Sequence, residues 1–398
     1  MSAVGWRRIP RGVWALGLVS LCMDLSSELV HALLPLYMAT VLGASMLTIG
    51  LIEGVAEATA LVVKVFSGVL SDLFARRKPL VVLGYGLGAV TKLVFPLAPS
   101  LSWIVGARFV DRIGKGIRGA PRDALIADIA PAELRGASFG LRQALDTVGG
   151  FGGPLLALAG MAWFAGNFQA AFWVAVLPAG IAVLLLVLGV EEPRRPAPAA
   201  AGKPRLQWRD ARRLPRDYWV VVAIASLLTL ARFSEAFLVL RAQNVGLSVA
   251  QAPWVMVVMS LVYAVAAYPA GSAADRGHGP RLLAIGVAML VASDLMLATA
   301  SSAPLVFAGA ALWGLHMGLT QGLLAALVAA SAPANLRGSA FGVFNLCGGV
   351  ALLVASGLAG WLWDAFGPRY TFYAGAAFTA VAWIGLLRHG MGAARLTR

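Results

Sequence analysis

Apolar residues along this chain fall into long blocks, each closed by glycine, proline or charge. The blocks predict helices at 13–40, 46–70, 79–98, 101–121, 135–160 and 166–190, and, after a break, at 217–241, 250–274, 281–300, 303–330, 337–362 and 367–389. At a rise of 1.5 Å per residue, roughly 20 apolar residues cross the hydrocarbon core of a bilayer. The pattern therefore predicts an all-α integral membrane protein with 12 transmembrane helices, six on either side of the break.

Composition agrees. Of the 398 residues 60% are hydrophobic and 13% charged, and the mean hydropathy is +0.81; soluble domains average about 25% charged residues. The net charge of +14 resides largely in the loops between spans, so it carries no argument for nucleic acid. Cys22 and Cys347 both fall in predicted spans, which leaves neither a disulfide framework nor a zinc site. The basic start (Arg7, Arg8, Arg11) leads into an apolar run that continues past Asp24 and Glu28, and it reads as a retained first helix.

The break at 191–216 is rich in proline and arginine and reads as a linker between residues 1–190 and 217–398. A surface helix around 206–214 is the other use for it. Basic clusters after the second helix (Arg76, Arg77, Lys78) and around the eighth (Arg276, Arg281) face loops without Lys or Arg near 43, 99, 163 and 302. Arg241 and Arg369 are exceptions. The positive-inside rule then places both termini and the linker in the cytoplasm.

The two sets of helices repeat one another. Ala130-Pro-Ala-Glu-Leu-Arg135-Gly-Ala-Ser-Phe-Gly140 returns as Ala332-Pro-Ala-Asn-Leu-Arg337-Gly-Ser-Ala-Phe-Gly342. Gly68-x-Leu-Ser-Asp72 returns as Gly271-x-Ala-Ala-Asp275, at an offset that agrees within one residue. A parallel repeat of two six-helix halves, related by a pseudo-two-fold axis, accounts for both.

With the repeat in place, the chain resembles the major facilitator superfamily over essentially its whole length. Gly68-Val-Leu-Ser-Asp72-Leu-Phe-Ala-Arg76-Arg77-Lys78 is similar to that family's cytoplasmic signature, with Leu73 and Ala75 as departures. Asp275 and Arg276 belong to its second copy. The resemblance implies that Gly68, Asp72, Arg76, Arg77, Asp275 and Arg276 form a conformational latch. Arg108-x-x-Asp111-x-x-Gly114-x-Gly116 resembles the family's helix-4 signature. Gly140, Gly149 and Gly153-Pro154 match most of the helix-5 signature associated with antiporters, Ala157-Leu158 replacing its last glycine pair. Glycines there let helices approach and bend, so Gly149, Gly153 and Pro154 are expected to act as a hinge. The stretch from Asp111 to Asp128 is also similar to a bacterial and archaeal subgroup, which implies the bacterial cytoplasmic (inner) membrane.

Charges inside membrane spans are costly and mark sites by default. Arg108, Asp111 and Arg112 lie on helix 4, Arg142 and Asp146 on helix 5, and the hairpin between these helices is expected to join the two rows. The alternative is a static network that only fixes geometry. Asp24, Glu28 and His31 share one face of helix 1; burial favours the neutral form of a carboxyl, and histidine titrates near neutrality. Glu53 and Glu57 on helix 2, with Arg232 and Glu235 on helix 7, complete the candidates for proton coupling and the substrate cavity. Met256, Met259 and His316-Met317 offer soft-metal ligands but read better as packing. No metal or cofactor is expected.

No nucleophile elbow, metal cluster or nucleotide loop marks an enzyme. The resemblance implies a monomeric proton-coupled carrier that exports a small organic or amphipathic molecule by alternating access. Proton-driven import of a nutrient, metal complex or siderophore-like ligand is the alternative, and a non-transporting receptor is a third class.

Overall fold

The computed structural model describes residues 8–73, 76–193, 213–333 and 336–388. Among them the chain is helical throughout, without a strand. The helices are α1 (Arg11–Thr40), α2 (Met46–Leu73), α3 (Lys78–Leu97), α4 (Leu101–Ile129), α5 (Arg135–Trp163) and α6 (Phe168–Gly189). A second set follows: α7a (Arg216–Ala231), α7b (Ala236–Asn244), α8 (Trp254–Ala273), α9 (Gly279–Thr299), α10 (Ala303–Ser331), α11 (Arg337–Phe366) and α12 (Pro368–Arg388). The linker residues 194–212 and the side chains of Asp72 and Asp275 lie outside the described residues.

Counting α7a and α7b as one span, 11 of these helices are long and apolar enough to cross a membrane. The one that falls short is α4, and charge is the reason, because Arg108, Asp111, Arg112, Lys115, Arg118, Arg122 and Asp123 interrupt its apolar residues. Large apolar side chains such as Phe66, Leu177, Leu188 and Val265 are exposed on the helix surfaces, as hydrocarbon-facing positions require.

Two elements differ from expectation. Helix α4 runs through Pro121 to Ile129 instead of stopping at 121; a proline is tolerated where neighbouring groups satisfy the freed carbonyl. The seventh span is broken at residues 232–235, where Ser356 Oγ accepts the backbone N–H of Ser234 at 3.2 Å. That contact replaces the intrahelical bond the break gives up.

The chain divides into two compact units, residues 1–34 with 59–205 and residues 35–58 with 206–398. In the first, Val13, Leu16, Val19 and Met23 of α1 meet Val81 and Tyr85 of α3, Leu125 and Ile126 of α4, and Ala179, Ala182 and Leu186 of α6. In the second, Tyr218, Val221, Ala225 and Leu228 of α7a meet Leu283 and Val287 of α9, Leu327 and Val328 of α10, and Ala382 and Leu386 of α12.

Arg241, an exception to the loop-charge pattern, is buried. Its Nε donates to the carbonyl of Leu297 at 3.0 Å and Nη2 to that of Ala300 at 2.6 Å, with Asn244 Oδ1 on Nη1. A guanidinium there satisfies the orphan carbonyls and negative dipole end of α9.

Candidate functional site

In the first unit the acids of α1 sit on the glycines of α5. A Cβ on Gly149 would stand 2.8 Å from Asp24 Cβ and 2.9 Å from the Leu21 carbonyl; one on Gly153 would stand 2.5 Å from Glu28 Cβ. Only glycine permits this approach, because any side chain would occupy the space of the α1 backbone. Pro154 is buried beside them. Glu28 Oε2 lies 3.3 Å from His31 Nδ1, one turn on. The charged groups acting on Asp24 are Asp146, Arg118, Glu28 and Lys115; those acting on Glu28 are His31, Lys115 and Arg112. The expected hinge residues and the expected proton-bearing acids thus form one structural element.

The α4 charges divide into two groups. The deeper one is a buried ion pair: Lys92 Nζ on α3 donates to Asp111 Oδ1 at 2.8 Å, and Arg112 Nε lies 3.6 Å from Asp111 Oδ2. Lys92, Arg108, Asp111 and Arg112 are each no more than 2% exposed. About two and three turns on, Arg118 stacks over the Tyr85 ring at 4.7 Å and Arg122 Nη1 donates to Ser20 Oγ at 2.9 Å. Stacking of this kind suits a planar guanidinium better than an ammonium.

The second group joins α4 to α5 in a balanced ring of two cations and two acids. Arg122 Nε donates to Asp123 Oδ1 at 3.0 Å, and Arg142 Nη1 donates to Asp146 Oδ2 at 2.9 Å and lies 3.6 Å from Asp123 Oδ1. The α4–α5 charge network therefore exists, but through Arg122 and Asp123. Asp111 turns to α3 instead, because Gly84 and Gly114 bring those helices together: a Cβ on either would lie 2.7 Å from the other's carbonyl oxygen. Lys92 lies 19 residues before its partner on another helix, so no spacing in the sequence points to it.

Of the expected latch, Arg77 is buried and ion-paired with Asp128 of α4 at 3.3 Å. Its backbone N–H donates to Glu192 Oε1, which also accepts from the Lys78 backbone at 3.2 Å. Arg76 and Arg276 are exposed, and Gly68 faces Ala120 of α4.

In the second unit Glu53 of α2 is fully buried and Glu57 half-buried. Arg232 and Glu235 occupy the two ends of the α7 break, and Glu235 is the acid acting on Arg232. Phe233 between them packs on Phe237, Trp313 and Phe372 with ring centroids 5.5–5.6 Å apart. At the α2 start, Asp364 of α11 accepts the backbone N–H groups of Met46 at 3.1 Å and Leu47 at 2.8 Å. Below it the two helices touch backbone to backbone through Gly50, Gly54 and Gly360. His316, weighed above as a soft-metal ligand, points Nδ1 at the Gly286 carbonyl at 2.8 Å.

The model of the Major Facilitator Superfamily matches residues 16–240 and 231–391. An uncharacterised MFS-type transporter of Methanocaldococcus jannaschii is 31% identical over 390 residues, covering 96% of this chain and 95% of the relative. The inner membrane transport protein YajR of Escherichia coli is 25% identical over 395 residues, covering 93% and 81%. Among solved structures, the nucleoside transporter NupG superposes with a TM-score of 0.80 at 13% identity, covering 94% of this chain and 99% of that one.

Proposed function

The chain belongs to the Major Facilitator Superfamily, as a membrane-spanning secondary transporter of 12 helices, and from that premise we propose a proton-coupled carrier that exports a small organic molecule. The observation that carries the proposal is the seating of Asp24 and Glu28 on Gly149 and Gly153. A proton gained or lost at either acid changes the charge of a side chain wedged between two helix backbones. Protonation is thereby tied to how closely α1 and α5 pack, which is the link a proton-driven conformational cycle needs.

Under this proposal Glu28 and Asp24 carry the proton, with His31, Lys115, Arg118 and Arg112 setting their electrostatic surroundings. Glu235, Glu53 and Glu57 are secondary candidates, and Arg108 and Arg142 act as counter-charges. The latch is proposed at Gly68, Asp72, Arg76 and Arg77 with Asp275 and Arg276. The halves 1–190 and 217–398, joined by 191–216, are the proposed moving parts of a monomer in the inner membrane with both termini cytoplasmic.

Uptake is the second reading, favoured by Ala157-Leu158 standing where the export-associated signature has glycines. Vesicles containing the purified protein separate the two. Export predicts that a solute accumulates on the acidic side of an imposed pH gradient, and uptake predicts accumulation on the alkaline side. A solute that equilibrates across the vesicle membrane, with no response to the gradient, overturns proton coupling.

A further inference from the structure

Asp294 on α9 plays no part in the proposed coupling, and no spacing in the sequence marks it. It is 0% exposed on the buried face of α9, in line with Val287, Leu290 and Leu297. Neither carboxyl oxygen has a hydrogen-bond partner among the described residues. The niche is shaped for it: a Cβ on Gly375 of α12 would lie 2.7 Å from Oδ2 and 3.1 Å from Cγ. The carboxyl fills the volume that a side chain at 375 would need.

Nearby hydroxyls are committed elsewhere. Ser293 Oγ donates to the Gly309 carbonyl of α10 at 2.7 Å, Thr379 Oγ1 to the Gly375 carbonyl at 2.9 Å, and Thr371 Oγ1 to the Ala359 carbonyl at 2.8 Å. Charges are committed too. His316 of α10 holds Gly286, about two turns away on α9, Arg241 holds the α9 end, and Arg369 of α12 is exposed. Among the described residues, no hydrogen bond joins the Asp294 carboxyl to α9, α10 or α12.

An ionised carboxylate with neither donor nor counter-charge is among the costliest groups a protein interior can hold, and the usual escape is neutralisation. We infer that Asp294 is a proton-binding site, its carboxyl held as the neutral acid against Gly375, so that the proton is a structural ligand of the α9–α12 interface. The bound proton converts an acceptor-only group into one that can donate to a helix carbonyl. Folding then takes up a proton and unfolding releases it, so the stability this site contributes falls as pH rises.

The test uses full-length protein, wild type and Asp294→Asn, in detergent at neutral pH. Infrared spectra are expected to show a protonated-carboxyl carbonyl band in the wild type that the asparagine variant lacks. Thermal unfolding of that variant is expected to match the wild type in acid and to exceed it in alkali. Identical carboxyl bands in the two folded proteins, or an asparagine variant less stable at every pH, overturn the inference. Should the asparagine variant not fold, Gly375→Ala decides, because its methyl group presses on Oδ2. A shift of the wild-type carboxyl band in that variant supports the site, and an unmoved band overturns it.

Discussion

Glu28 and Gly153 are in contact across α1 and α5 so closely that one methyl group on the glycine would stand 2.5 Å from Glu28 Cβ. Gly153→Ala is therefore expected to destabilise the protein by about 1–3 kcal/mol through overpacking. It should also slow transport more than that loss explains. Thermal unfolding and vesicle flux measured on the same preparation check this, with Gly150→Ala as control, since nothing lies within 4 Å of a Cβ there.

Glu28→Gln keeps the shape of the side chain and removes its charge. The variant is expected to fold, to exchange solute across vesicles at equal pH, and to lose accumulation driven by a pH gradient. Accumulation at the wild-type level would remove α1 from the coupling step.

Lys92 and Asp111 are a buried pair at 2.8 Å. Lys92→Met should cost about 3–5 kcal/mol, because it leaves the buried Asp111 carboxylate to more distant charges such as Arg112 at 3.6 Å, whereas adding Asp111→Leu should recover part of the loss. Unfolding of Lys92→Met, Asp111→Leu and the double variant tests this as a cycle. Additive losses would show that the pair does not act as a unit.

Asp364 closes two of the first-turn N–H groups of α2 from outside that helix. Asp364→Ala is expected to lower stability by about 1 kcal/mol, as loss of an N-cap does, and Asp364→Asn by less. Hydrogen exchange at Met46 and Leu47 should accelerate in the alanine variant while the middle of α2 stays protected.

Much of this was legible in the sequence because hydrocarbon imposes simple rules: long apolar runs, charges confined to loops, and exceptions that matter. The Asp24–Glu28 row and the Gly149–Gly153 row could each be read from spacing, but their contact could not, since residues 125 positions apart share no local signal. Asp111 was expected to face α5 because α4 and α5 are consecutive; Gly84 and Gly114 draw it to α3 and Lys92. The break in α7 lacks proline or glycine, the usual punctuation. What makes it possible is the hydroxyl of Ser356, 122 residues away. Asp294 stood alone in an apolar run; its place inside a predicted span was a signal, but no partner at helical spacing gave it a role. Pro121 misled in the opposite direction, as a stop signal that tertiary packing overrides.

Arg241 must wait for its acceptors. The carbonyls it closes belong to residues synthesised 56 to 59 positions later. Until the ribosome has delivered all of α9, Arg241 at the end of α7b has Asn244 for an acceptor but lacks the backbone carbonyls that complete its shell. A nascent chain halted before Leu297 should therefore remain a substrate for quality-control proteases, and release from them would mark the moment this corner is sealed.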